Sequence, residues 1–141
     1  MDKVNPRCAG LDIHKDSVWA CARIDGRQSI QKFGATTREL LRLGDWLAEQ
    51  GVSIVAMEST GVYWKPVWNL LEDRFALMLV NAHHIKQVPG RKTDVKDCQW
   101  IGELLEHGLL KPSFVPGRPQ RELRDLTRQR TQLLGDRARV V

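Results

Sequence analysis

The chain has 141 residues, 42% hydrophobic and 28% charged, which suits one globular domain with room for a sizeable core. No apolar run approaches the ~18 residues of a membrane-spanning helix, and Met1-Asp2-Lys3-Val4-Asn5-Pro6 lacks the apolar stretch of a secretion signal, so a cytoplasmic location without a membrane partner is expected. The net charge of +5 is uneven, because residues 118–141 hold seven Arg against Glu122, Asp125 and Asp136 for a net of +4, leaving +1 for the other 117 residues. On charge alone, a phosphate-facing surface and a solvated Arg-rich helix face fit this tail equally well.

In chain order, residues 7–13 are an apolar run interrupted by Asp12, and His14-Lys15-Asp16-Ser17 reads as a polar turn. Val18, Ala20, Ala22 and Ile24 then alternate with Trp19, Cys21 and Arg23, the pattern of a strand covered at least partly on both faces. Asp25-Gly26 is a strong hairpin signal, and a third strand follows near residues 29–33. Thr36 or Thr37 can cap a helix in which Leu40, Leu41, Leu43, Trp46 and Leu47 follow helical spacing as far as Gly51. Residues 52–57 form a short β-branched strand ending at Glu58, residues 63–73 a helix, and residues 75–80 another buried strand. Pro89-Gly90 breaks the chain, Thr93 can cap a helix over 94–107, and Gly108 ends it. Pro112, Pro116 and Pro119 mark an extended connector before a last helix. That helix reaches Val141 without a stop signal, which reads as a domain at 1–111, then a connector and the start of a basic coiled-coil-like helix at 112–141, with more chain expected beyond. Three strands followed by α/β crossovers give an α/β class: a mixed sheet with flanking helices, in the order of the ribonuclease H-like fold.

Four acids stand where local rules would not put them. Asp12 interrupts one buried strand and Glu58 ends another, although an unpaired buried charge costs several kcal/mol, on the order of 3–5 when a partner is removed. Asp94 and Asp97 are three apart and so share a helix face, near an N-terminus whose dipole favours anions. Helix-end chemistry alone accounts for that second pair. A carboxylate cluster becomes tolerable around a divalent cation, and hard cations such as Mg²⁺ take such oxygen ligands in phosphoryl-transfer sites.

Bland roles suit most other polar candidates. Ser59-Thr60-Gly61 fits a helix cap better than a phosphate loop, and Tyr63, Trp64 and Trp68 at helical spacing fit a core better than a base-stacking surface. His83 and His84 lack partners at zinc spacing, and Cys8, Cys21 and Cys98, odd in number and far apart, read as free thiols. Arg91-Lys92, just before the Asp pair, would suit a phosphate contact beside a metal, and Arg121, Arg124 and Arg128 are the tail positions for nucleic acid.

Gly10-Leu11-Asp12-Ile13-His14-Lys15, Met57-Glu58-Ser59-Thr60-Gly61-Val62-Tyr63-Trp64 and Lys92-Thr93-Asp94-Val95-Lys96-Asp97 together resemble the DEDD transposases of the "one-ten" insertion-sequence family, relatives of the pilin-gene invertase. The resemblance spans nearly the whole chain. It implies a RuvC-like domain of a bacterial DNA transposase or recombinase, with Asp12, Glu58, Asp94 and Asp97 as a catalytic tetrad binding Mg²⁺ (or Mn²⁺). It further implies DNA as substrate, a structured guide RNA, a homo-oligomer, and a second domain carrying a nucleophilic serine. Cys98 departs from the small residue usual after the second Asp. Two other readings compete: a stand-alone Holliday-junction-resolvase-like nuclease using the same acids with water, and a non-catalytic nucleic-acid-binding or oligomerisation module whose acids are structural.

Overall fold

The computed structural model describes residues 3–58, 61–81, 83, 85, 97–113, 115 and 117. Three strands come first, β1 (Arg7–Ile13), β2 (Ser17–Ile24) and β3 (Arg27–Gly34). Asp25 and Gly26 join β2 to β3 with φ of 50° and 88°, the consecutive left-handed residues that let a two-residue turn match the twist of its strands. Helix α1 (Thr37–Gln50) is set at both ends by local chemistry. The Thr36 hydroxyl accepts the Glu39 N–H, and Gly51, at φ 87°, donates its N–H back to the carbonyls of Ala48 and Leu47. The chain continues through β4 (Ile54–Glu58), α2 (Trp64–Leu71), β5 (Ala76–Val80) and α3 (Asp97–Glu106).

The sheet order is β3-β2-β1-β4-β5, with β1 antiparallel to β2 and parallel to β4. This is the mixed ribonuclease H-like sheet expected from the order of elements. Along β1, Ala9, Leu11 and Ile13 face one side and Cys8, Gly10 and Asp12 the other, as the two-residue period requires. The first side packs with Val18, Ala20, Leu40, Leu43, Leu47, Val67 and Leu71 into the larger core, under α1 and α2. On the second side Cys8, Ala56 and Val80 meet Ile101, Leu104 and Leu105 of α3. Each buried Leu or Ile contributes roughly 1.5–3 kcal/mol of transfer free energy, so these two layers dominate the stability.

Some boundaries differ from the sequence reading. Leu41 is 49% exposed, because it lies about a third of a turn from the stripe that buries Leu40, Leu43 and Leu47. The fourth strand begins at Ile54, and the second helix is shorter than expected at both ends. Pro112 is not merely connector: it bridges to Val80, and the Ser113 N–H donates to the Leu79 carbonyl at 2.6 Å, covering the outer edge of β5. Thr93, Pro89-Gly90 and the expected tail helix lie outside the described residues.

Candidate functional site

The register of the two central strands decides where the first two acids go. Cys8, Ala9, Gly10 and Leu11 of β1 pair in parallel with Ile54, Val55, Ala56 and Met57 of β4. One step further, Asp12 stands beside Glu58. Both follow Gly10 and Ala56 by two residues and so share the α3 side of the sheet. Asp12 is largely covered, its side chain 15% exposed, and Glu58 is half-buried.

The direction of α3 brings a third acid to the same end. The Glu106 carbonyl accepts the N–H groups of Val4 (2.9 Å) and Asn5 (3.0 Å), so the helix C-terminus lies at the start of β1. Its N-terminal half lies over Gly10, where an added Cβ would meet the Cys98 carbonyl oxygen at 2.5 Å and the Gly102 nitrogen at 2.4 Å. The helix therefore runs opposite to β1, and Asp97, next to Cys98, sits at the end of the sheet that carries Asp12 and Glu58.

Convergence of the backbone is not yet convergence of the carboxylates. Among the described residues, no three His, Cys, Asp or Glu side chains close on a single point. The Asp12 carboxylate is instead turned to His14, whose Nε2 lies 3.0 Å from Oδ2. The same turn is pinned by the His14 N–H donating to the Ser17 carbonyl at 2.8 Å. The sequence reading gave His14 a turn role; it has that role and also engages the acid. Asp94, Arg91, Lys92, Arg121, Arg124 and Arg128 lie outside the described residues, as do Ser59 and Thr60. Trp64 and Trp68 pack edge to face with centroids 5.9 Å apart on α2, a packing role, whereas Tyr63 is exposed.

At the opposite end of α3 lies a buried polar anchor that sequence inspection did not single out. Arg23 Nη2 donates to Glu106 Oε1 at 3.2 Å, with the Glu106 side chain 1% exposed, and His107 Nε2 lies 3.6 Å from the same oxygen. Asn5 adds a hydrogen bond to the Leu105 carbonyl at 2.8 Å. The three cysteines are buried as well, and burial pushes the Cys8 and Cys21 thiols up to about 12. Such thiols are neutral and inert, which removes them from the candidate chemistry.

Strand order and direction define a ribonuclease H-like fold. The profile of the DEDD transposases of the IS110 type matches residues 9–141, and the chain belongs to this transposase family, whose members as a class act on DNA. Among solved structures, T. thermophilus RuvC in complex with a Holliday junction substrate is similar with a TM-score of 0.49 and 12% identity, over 76% of this chain and 99% of that one. YeaZ from Pseudomonas aeruginosa gives 0.41 and 17%, over 56% of this chain and 46% of that one. No curated protein matches the chain.

Proposed function

We propose that the chain carries the catalytic site of a DNA transposase or recombinase, with Asp12, Glu58, Asp94 and Asp97 holding Mg²⁺ or Mn²⁺. The observation that carries this reading is the β1–β4 register, which sets Asp12 beside Glu58 at the end of the sheet where α3 begins. The donor set fits the ion, because hard carboxylate oxygens suit Mg²⁺. A divalent ion held there supplies charge for the scissile phosphate and for the negative charge that develops on it. The chain's own residues fix where that phosphate sits. The two strand ends hold the carboxylates on a rigid edge beside α3. His14 holds Asp12 in one orientation.

The family resemblance extends the reading to a guide RNA, a homo-oligomeric assembly and a serine nucleophile supplied by a second domain. Arg91, Lys92, Arg121, Arg124 and Arg128 are the proposed phosphate contacts. Each phosphate that they neutralise adds roughly 0.7–0.9 to the log–log salt slope of binding. Affinity for DNA or RNA should therefore fall steeply between low and physiological salt, and replacing the three tail arginines by Gln should flatten the slope by about two to three. Binding indifferent to salt would remove the nucleic-acid role of the tail. The catalytic reading is tested by excision of a reporter element: Asp12→Asn, Glu58→Gln and Asp97→Asn should each abolish it with wild-type melting temperatures. Wild-type excision by any of the three would sink the tetrad.

A further inference from the structure

Three parallel strands finish at the acidic end of the sheet. β1 runs parallel to β4 and β4 parallel to β5, with Glu58 paired to Val80, so all three end where Asp12 and Glu58 stand. In open α/β sheets, ligands settle outside the carboxyl ends of such strands. Helix α2 carries the chain from the end of β4 back to the start of β5, so its first turn stands at this same end. Val67, Trp68 and Leu71 hold it on the side of the larger core, opposite α3. The segment that enters it, Gly61-Val62-Tyr63, therefore borders the acids from the α2 side. Five large hydrophobic residues are exposed among the described ones, and Val62 (54%) and Tyr63 (45%) are the two that are consecutive. Gly61, at φ 62°, turns the chain so that the Tyr63 ring lies back along it: a Cβ added at Gly61 would stand 3.8 Å from the ring. Trp64, next in sequence, packs against the larger core, whereas Tyr63 belongs to neither apolar cluster. Its hydroxyl and ring make no hydrogen bond or ring contact among the described residues.

We infer that Tyr63 is a substrate contact, its ring stacking on a base or sugar of the DNA strand that crosses the end of the sheet at Asp12 and Glu58. This deepens the proposed function and rests on it for the identity of the strand. The occupant is nucleic acid because the family acts on DNA and the ring borders the end where the acids stand. Charge alone does not hold a polyanion there, since Asp12, Asp16, Glu58 and Asp97 accompany Lys15 and Lys65 at this end. Stacking supplies attraction without charge, and every base has a π face, so the contact sets position and not sequence. Gly61 backs the ring and fixes its place, which lets an exposed aromatic act as a stop for the strand.

The test uses the full chain and a short single DNA strand carrying 5-iodouracil, irradiated in the complex, with the crosslinked residue read by mass spectrometry. Tyr63 should carry the crosslink. By anisotropy with a fluorescein-labelled strand, Tyr63→Leu should weaken binding roughly fivefold to a hundredfold, and Tyr63→Phe should keep most of the affinity. Both variants should melt with the wild type, because the side chain is exposed and outside the core. Crosslinks confined to other residues together with wild-type affinity in Tyr63→Leu overturn the contact, as does a wild type that does not bind the strand. So does a change of oligomeric state in Tyr63→Leu by sedimentation, which would assign the residue to a protein interface. If Tyr63→Leu does not fold, the crosslink in the wild type decides the matter. Mg²⁺-dependent melting of the wild type, measured alongside, separates the two readings. A Tyr63 crosslink without any Mg²⁺ effect keeps the contact and removes the metal site, and the reverse result keeps the site and removes the contact.

Discussion

Asp12 is the residue on which the account turns, since it occupies the last α3-facing position of β1 and is largely covered. Replacing it with Asn keeps the shape and one acceptor but removes charge, so Mg²⁺ should raise the melting temperature of the wild type by mass action and do so less in Asp12→Asn. A structural acid predicts instead that the variant is neutral or slightly more stable and that the Mg²⁺ response is unchanged. The second consequential carboxylate is Glu106, buried against Arg23. Glu106→Ala leaves a covered guanidinium without its partner and should cost about 3–5 kcal/mol in urea unfolding, whereas Arg23→Met with Glu106→Leu should cost far less. Equal losses in the two would mean that packing, and not charge, is at stake. The thiols give a pH dependence with a definite sign. Cys8 and Cys21 are held at about 12 against an ordinary 9.0, so between those values the unfolded chain has lost protons that the folded chain keeps. Their stabilising contribution is full below pH 9 and is lost as pH rises toward 12. Melting temperatures should fall across this window more in the wild type than in Cys8→Ala/Cys21→Ala, and identical curves would contradict the assignment.

Among the elements, α3 is the one that completes the site, and its seat depends on the absence of a side chain at Gly10. A methyl group there would meet backbone atoms of Cys98 and Gly102 that cannot swing aside, so the helix must lift. Gly10→Ala should destabilise by about 1–3 kcal/mol and reduce excision beyond what the stability loss explains, because Asp97 moves with the helix. An active, fully stable Gly10→Ala protein would show that α3 need not lie close. The contrast between α3 and α1 also explains what could be read beforehand. Thr36, Gly51 and the Asp25-Gly26 turn act through neighbours within a few residues, so their roles were legible in the sequence. The neighbouring position of β1 and β4 was inferred from the order of elements, and the two strands pair as expected. The run of α3 against β1 and the Arg23–Glu106 anchor depend on residues 83 to 100 apart, a packing that no local pattern encodes. Leu41 shows the same limit in small: its spacing fits a helix, but which stripe is buried is settled only by the sheet beneath.

At the scale of the whole molecule, the two ends of the α3 side have opposite character. One end is closed by Arg23, Glu106 and Asn5, which tie the helix to the start of the chain. The other presents Asp12, Glu58 and Asp97. A polar lock at one end lets the other stay acidic without the helix leaving the sheet. A crystal structure of the full chain soaked in Mn²⁺, read by anomalous scattering, tests the metal site directly. A bound ion gives a peak between the carboxylates of Asp12 and Glu58, at ~2.0–2.6 Å from their oxygens, with Asp12 turned away from His14. Well-ordered Asp12 and Glu58 with no peak between them at saturating Mn²⁺, and the His14–Asp12 contact kept, would contradict it.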